Sequence, residues 1–196
     1  MKPLSIISIF FIIFFIKGKT YQSSQTILTY EQTEKKIIDD SISVESIKNI
    51  KEVPYIQNCN DKIFWGLVMQ GKKNIPQLIE KLADQKPLKH VYVPMFGGEY
   101  TVADVALMIL YEKIKGIPIF ELIGIDISKD CGYCSYWFFI RESKKNRLQL
   151  QKEFKKWYKE NENKLVWVES SLSLNGDCFS PAKGHYEIPN EVGSKY

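Results

Sequence analysis

The sequence predicts an α+β fold, mainly helical, with a small antiparallel sheet near the C-terminus. Three observations carry this. Apolar residues recur at helical spacing in Ile75, Leu78, Ile79 and Leu82, and again from Val102 to Ile114. Capping residues stand before these runs and glycines after them, as in Thr101 and Gly116. Leu165 to Glu169 and His185 to Ile188 have strand character and flank a loop containing Gly176, Cys178, Pro181 and Gly184.

The N-terminus reads as a targeting segment. Lys2 precedes an uncharged apolar run from Leu4 to Ile16, and Lys17-Gly18-Lys19-Thr20 ends it. The run is shorter than the ~20 residues of a spanning helix and matches the core of a secretory signal peptide. Residues 1–20 are therefore expected to be removed on export, to the periplasm or the medium; the alternative is an uncleaved anchor. With them go Lys2, Lys17 and Lys19 of the 27 basic residues, against 23 acids. The mature chain is then nearly neutral, which argues against nucleic acid as its partner.

Residues 21–54 are rich in Ser, Thr, Gln, Glu and Lys and read as a flexible leader, with a weak helix between Asp40 and Lys51. A single globular domain is expected over 55–196, with no membrane span after cleavage. Asn60 or Asp61 caps a first helix carrying Phe64, Trp65, Leu67, Val68 and Met69, stopped by Gly71. Asn74 caps the next, with Pro76 in its first turn. His90-Val91-Tyr92-Val93 is β-prone and Gly97-Gly98 a turn. Thr101 caps a strong helix, with Asp104 completing the box. Residues 117–127 fit either a short helix opened by Pro118 or a buried strand. A long helical stretch reaches to about Asn161, broken near Ser143–Asn146. Residues 141–164 hold nine basic residues and four acids, the pattern of a solvated helix face; an acidic partner or anionic lipid is the alternative use.

Residues 75–84 resemble the first helix of a HEAT-type repeat, and Val102 through Ile114 its second. Such families use helix pairs as binding surfaces. The combination of Gly71-Lys72-Lys73-Asn74-Ile75-Pro76 with Tyr100-Thr101-Val102-Ala103-Asp104-Val105-Ala106 is similar to a group of exported bacterial proteins without an assigned activity. The resemblance implies a secreted, mostly helical protein and no catalytic residue.

Cys59, Cys131, Cys134 and Cys178 allow three chemistries. An oxidising compartment favours two structural disulfides, whose pairing the sequence leaves open. A bridge from Cys178 to the Cys131–Cys134 pair would close a loop of about 45 residues, contributing about 2–4 kcal/mol. Cys131-Gly132-Tyr133-Cys134 before a helix would also suit a thiol–disulfide oxidoreductase, with Cys131 as nucleophile and Cys134 resolving it. Cys131, Cys134, Cys178 and His185 could form a closed, structural zinc site. His90 and His185 have no triad partner at a telling spacing, and Glu99 and Asp104 have simpler local roles than a carboxylate pair. No cofactor is implied. The leading reading is a non-enzymatic exported protein that binds another protein, immunity- or inhibitor-like, through an exposed cluster of Tyr133, Tyr136, Trp137 and Arg141.

Intact mass of the exported, unreduced protein after denaturing alkylation is expected to show loss of residues 1–20 and no label on any cysteine. Four labels would remove the disulfide framework; two, on Cys131 and Cys134 after mild reduction, would instead mark the redox reading.

Overall fold

A helix that is apolar on nearly every side has to be enclosed, and the chain is arranged around one. In the computed structural model that helix is Val102–Lys113, with ten of its residues buried. The structure describes residues 41–54, 61–94, 97–125, 135–169, 173–174, 178–179 and 182–189. The chain divides into two units, 1–37 and 38–196, and the described residues all lie in the second. The expected signal peptide and most of the leader lie outside them.

In chain order, a 3₁₀ turn spans Val44–Asn49, followed by α1 (Lys62–Met69) and α2 (Ile75–Glu80). A β-ribbon follows, β1 (Pro87–Tyr92) against β2 (Glu99–Thr101), and leads directly into α3 (Val102–Lys113). The short α4 (Ile119–Leu122) comes next, then a π-helical turn at Tyr136–Ile140 and the long α5 (Lys144–Asn161). The strands β3 (Val166–Glu169) and β6 (Gly184–Glu187) pair antiparallel, as do β4 (Ser173–Leu174) and β5 (Cys178–Phe179). The fold is thus α+β and mainly helical, as expected, with one sheet more central than foreseen: the β1–β2 ribbon.

The core begins earlier than residue 55. Val44, Ile47, Ile50 and Val53 are buried with Phe64, Leu67, Ile79 and Ile109. Their spacing of three is the repeat of a 3₁₀ turn, which brings Val44 and Ile47 to one side of a segment that is polar elsewhere. Residues 41–54 are therefore part of the domain and not of a leader. Of the ambiguous stretch 117–127, residues 117–125 are described and hold helix α4, with Pro118 at its N-cap. There Pro118, at φ −82°, precedes the first helical residue, where its missing N–H takes away no intrahelical bond.

Side chains from distant parts of the chain close the helix ends. Asp61 caps α1 by accepting from the Ile63 and Phe64 N–H groups at 2.9 and 2.8 Å. Gly71, at φ +68°, turns the chain away at its other end. There Asn74 Nδ2 donates to Leu67 O at 2.9 Å, so its amide closes the preceding helix instead of capping α2. The buried Lys113 Nζ donates to Val68 O and Gly71 O at 2.8 and 2.7 Å. Gln151 Nε2 donates to Ile79 O and Glu80 O at the end of α2. Lys72 Nζ donates to Glu162 O and Leu165 O beyond α5, and also lies over the Tyr186 ring. The last carbonyls of a helix have no partner within it, and burial without one is costly. Each of these long polar side chains meets that need and pins two segments together. At the sheet, Gly184 faces Glu169 in register, and a Cβ there would come within 2.4 Å of Val168 O. Only glycine allows that approach.

Burial, and then the nearby Lys73 charge, lower the pKa of Lys113 from 10.5 to about 7. A neutral amine keeps two N–H groups, one for each carbonyl it serves. The unfolded chain binds the extra proton between pH 7 and 10, so stability rises with pH across that window. Tyr111, raised to about 12 mainly by burial, acts oppositely: above pH 10 the unfolded chain loses its proton first and stability falls. Urea midpoints are expected to climb from pH 7 to about 9.5 and decline beyond, and Lys113→Met is expected to flatten the climb. A flat wild-type profile would show that Lys113 titrates normally.

Candidate functional site

Thr101 ends β2 and caps α3. Its Oγ1 accepts from Asp104 N, and Asp104 Oδ2 accepts from Thr101 N at 2.7 Å. This reciprocal box is the one the sequence predicts, and it turns the ribbon into the helix. The structure gives Asp104 three more partners. Arg147 Nη2 reaches Oδ1 at 2.9 Å, Arg141 Nε reaches Oδ2 at 3.1 Å, and Tyr136 Oη donates to Oδ1 at 2.5 Å. The side chains of Asp104 and Arg147 are 1% and 2% exposed. One carboxylate thus joins the ribbon, α3, the π-turn and the start of α5.

The two arginines are tied further. Arg141 Nη2 donates to Glu99 O, and Arg147 Nε donates to Arg141 O. Arg141 also stacks over Trp137, 4.8 Å from the ring centre. Trp137 meets Tyr100 and Tyr136 edge to face, with centroids 5.7 and 5.4 Å away. Burial, followed by the Asp104 charge, pushes the Tyr136 hydroxyl well above its ordinary pKa. That hydroxyl stays protonated and donating throughout the physiological range. The cluster is closed: its charges face one another, and its outer donors end on backbone carbonyls.

The expected binding cluster is redistributed accordingly. Tyr136 and Arg141 come together, but on the inward-facing Asp104. Trp137 is in the core and not exposed. Tyr133 lies outside the described residues. Within this segment the exposed aromatics are the next two along, Phe138 and Phe139, at 61% and 45%; Tyr92 and Trp167 are exposed elsewhere. The π-turn sets this phase: Arg141 N bonds to Tyr136 O, five residues back, and this wider turn places Trp137 and Ile140 inward. Asn146 Nδ2 donates to Phe139 O at 2.8 Å, and Ser143 caps α5 through Asn146 N, so the turn that presents both rings is braced from behind.

Cys59, Cys131 and Cys134 lie outside the described residues, and Cys178 opens β5. Of the imagined zinc set, His185 sits in β6 with Nε2 3.3 Å from Glu187 Oε2. His90 takes a left-handed backbone, φ 69°, and its N–H donates to Glu99 Oε1. Glu99 and Asp104, considered as a carboxylate pair, are separated in role: one carboxylate braces the ribbon, the other is the arginine hub. Sequence reasoning missed Arg147, grouping it with the solvated bases. A signal was present. Among 27 basic residues only two are arginine, and both reach Asp104. Comparison with protein-family profiles, characterised proteins and solved structures finds no match in any of the three.

Removing the hub charge leaves a buried guanidinium uncompensated. Asp104→Asn is expected to cost about 3–5 kcal/mol in urea unfolding. Thr101→Ala, which loses only the cap, should cost about 1 kcal/mol. Equal costs would reduce Asp104 to a cap residue.

Proposed function

We propose that the chain is a non-enzymatic, exported binding protein, periplasmic or secreted, whose partner is another protein and not nucleic acid. One observation carries the reading: Phe138 and Phe139 stand exposed side by side on a turn held rigid by the Asp104 cluster and by Asn146. Two pre-set aromatic rings lose little freedom when a partner covers them, and such anchors dominate protein interfaces. The closed state of the Asp104 cluster is in keeping with this. Its carboxylate, guanidinium groups and phenol are occupied in holding the turn, which is a positioning task and not proton transfer. The similarity of residues 71–106 to exported proteins, and of 75–114 to a helix pair used for binding, supports the same assignment. Near-neutral charge after loss of residues 1–20 supports a protein over nucleic acid. An immunity- or inhibitor-like role, blocking another protein by occupying its surface, is the concrete form proposed. No helix among the described residues is long and apolar enough to cross a membrane.

A photo-crosslinker placed at Glu142, exposed just after the turn, is expected to give one discrete adduct in cells that export the protein. Phe138→Ser with Phe139→Ser should abolish that adduct while the unfolding midpoint stays within about 0.5 kcal/mol of wild type. An adduct that survives the double substitution would move the contact elsewhere.

A further inference from the structure

The solvent side of α5 is a second surface with its own chemistry. At 100° per residue, the exposed Lys144, Lys145, Lys152, Lys155, Lys156 and Lys159 fall within an arc of about 120°. The opposite side carries Arg147, Leu150, Phe154 and Tyr158, all buried. The arc runs the length of a helix about 27 Å long. It holds lysines three and four apart, such as Lys152 with Lys155 and Lys156, an arrangement that opposes helix formation. Among the described residues, carboxylates meet two of these lysines: Glu80 pairs with Lys155, and Glu153 lies 3.8 Å from Lys152. Glu160 stands at the far edge. In the middle, between Lys144, Lys145, Lys152 and Lys155, is Leu148, 45% exposed.

From this geometry we infer that the lysine face of α5 docks on an anionic phospholipid bilayer, holding the protein at a membrane surface. Three features select a bilayer over the other polyanions. The face is all lysine, whereas both arginines are turned inward. Lysine supplies a mobile point charge suited to a diffuse headgroup layer, and lacks the planar fork that reads single carboxylates or phosphates. The face is a straight rod on a supporting domain, which meets a plane better than a groove. An apolar side chain amid four cations loses nothing in water-poor headgroups and gains from them. The inference goes beyond the binding function proposed above and does not depend on it.

The test is co-sedimentation of the full exported protein with vesicles of phosphatidylcholine alone or mixed with phosphatidylglycerol. Partition is expected only onto the mixed vesicles, and to fall as salt is raised. Lys152→Gln with Lys156→Gln should weaken it roughly 25-fold, at about fivefold per lysine. Lys89→Gln with Lys115→Gln removes the same charge from exposed sites off the face and should change it less than about twofold. The Phe138→Ser, Phe139→Ser protein should still partition, which separates this proposal from the partner contact. Binding to neutral vesicles, equal losses in the two lysine pairs, or binding to duplex DNA or polyglutamate without binding to vesicles would each overturn it.

Discussion

A buried carboxylate is tolerable only if its lone pairs are filled, and at Asp104 the filling determines how the domain is assembled. The residue lies in the first turn of α3, where the helix dipole and the Thr101 N–H already favour negative charge. Two guanidinium groups and a phenol complete its shell. They come from three consecutive stretches of chain: the π-turn, its exit and the first turn of α5. Folding cannot place α3 in the core without bringing those stretches to its N-terminus, because a lone buried charge would cost several kcal/mol. The hub therefore sets orientation more than net stability. Its aromatic neighbours Trp137 and Tyr100 add the packing that makes the position unique.

The other end of α3 obeys the same logic with opposite charge. Lys113 closes α1 from the last turn of α3, and the chain then continues to Lys115, whose N–H donates to Tyr186 O in β6. Lys72 ties the end of α5 to the same region through Tyr186. One enclosed helix thus has a carboxylate hub at its start and lysine clasps around its finish. The sign order matches the helix dipole at the start, where Asp104 sits. At the far end Lys113 serves the carbonyls of a neighbour, and burial, with the nearby Lys73 charge, depresses its pKa.

Much of the scaffold was legible from local chemistry. Asp61, Thr101 with Asp104, Gly71 and the pairing of 165–169 with 185–188 are rules of caps, turns and alternation that act within a few residues. Where reading failed, the deciding forces were non-local. Residues 41–54 read as part of a leader because polar residues dominate 21–54; the weak helix expected between Asp40 and Lys51 is there as a 3₁₀ turn, and only the fold shows that its apolar side chains are buried. Trp137 and Phe138 exchange roles because a five-residue bond shifts the phase of the turn. Arg147 sits among lysines of α5, and only the fold reveals that it points the other way from them. Its distinction was visible in residue type alone: where a chain uses lysine for every exposed cation, an arginine marks a place that needs a planar, multiply bonded donor.

That division of labour between the two cations explains how one segment can hold a core and present two surfaces. The arginines spend their donors inward and fix the backbone of 136–147. Because that backbone is fixed, Phe138 and Phe139 are offered at a set angle. The lysines of α5 contribute little to the fold, since the buried side of the helix is supplied by Leu150, Phe154 and Tyr158. Their mutual repulsion is a cost that the domain carries and does not need. A helix whose core-facing side is complete can afford such a face only because tertiary packing dominates helix stability. Removing charge from the face should then alter what the protein adheres to and leave its unfolding unchanged or slightly harder. That contrast separates a surface kept for contact from one kept for folding.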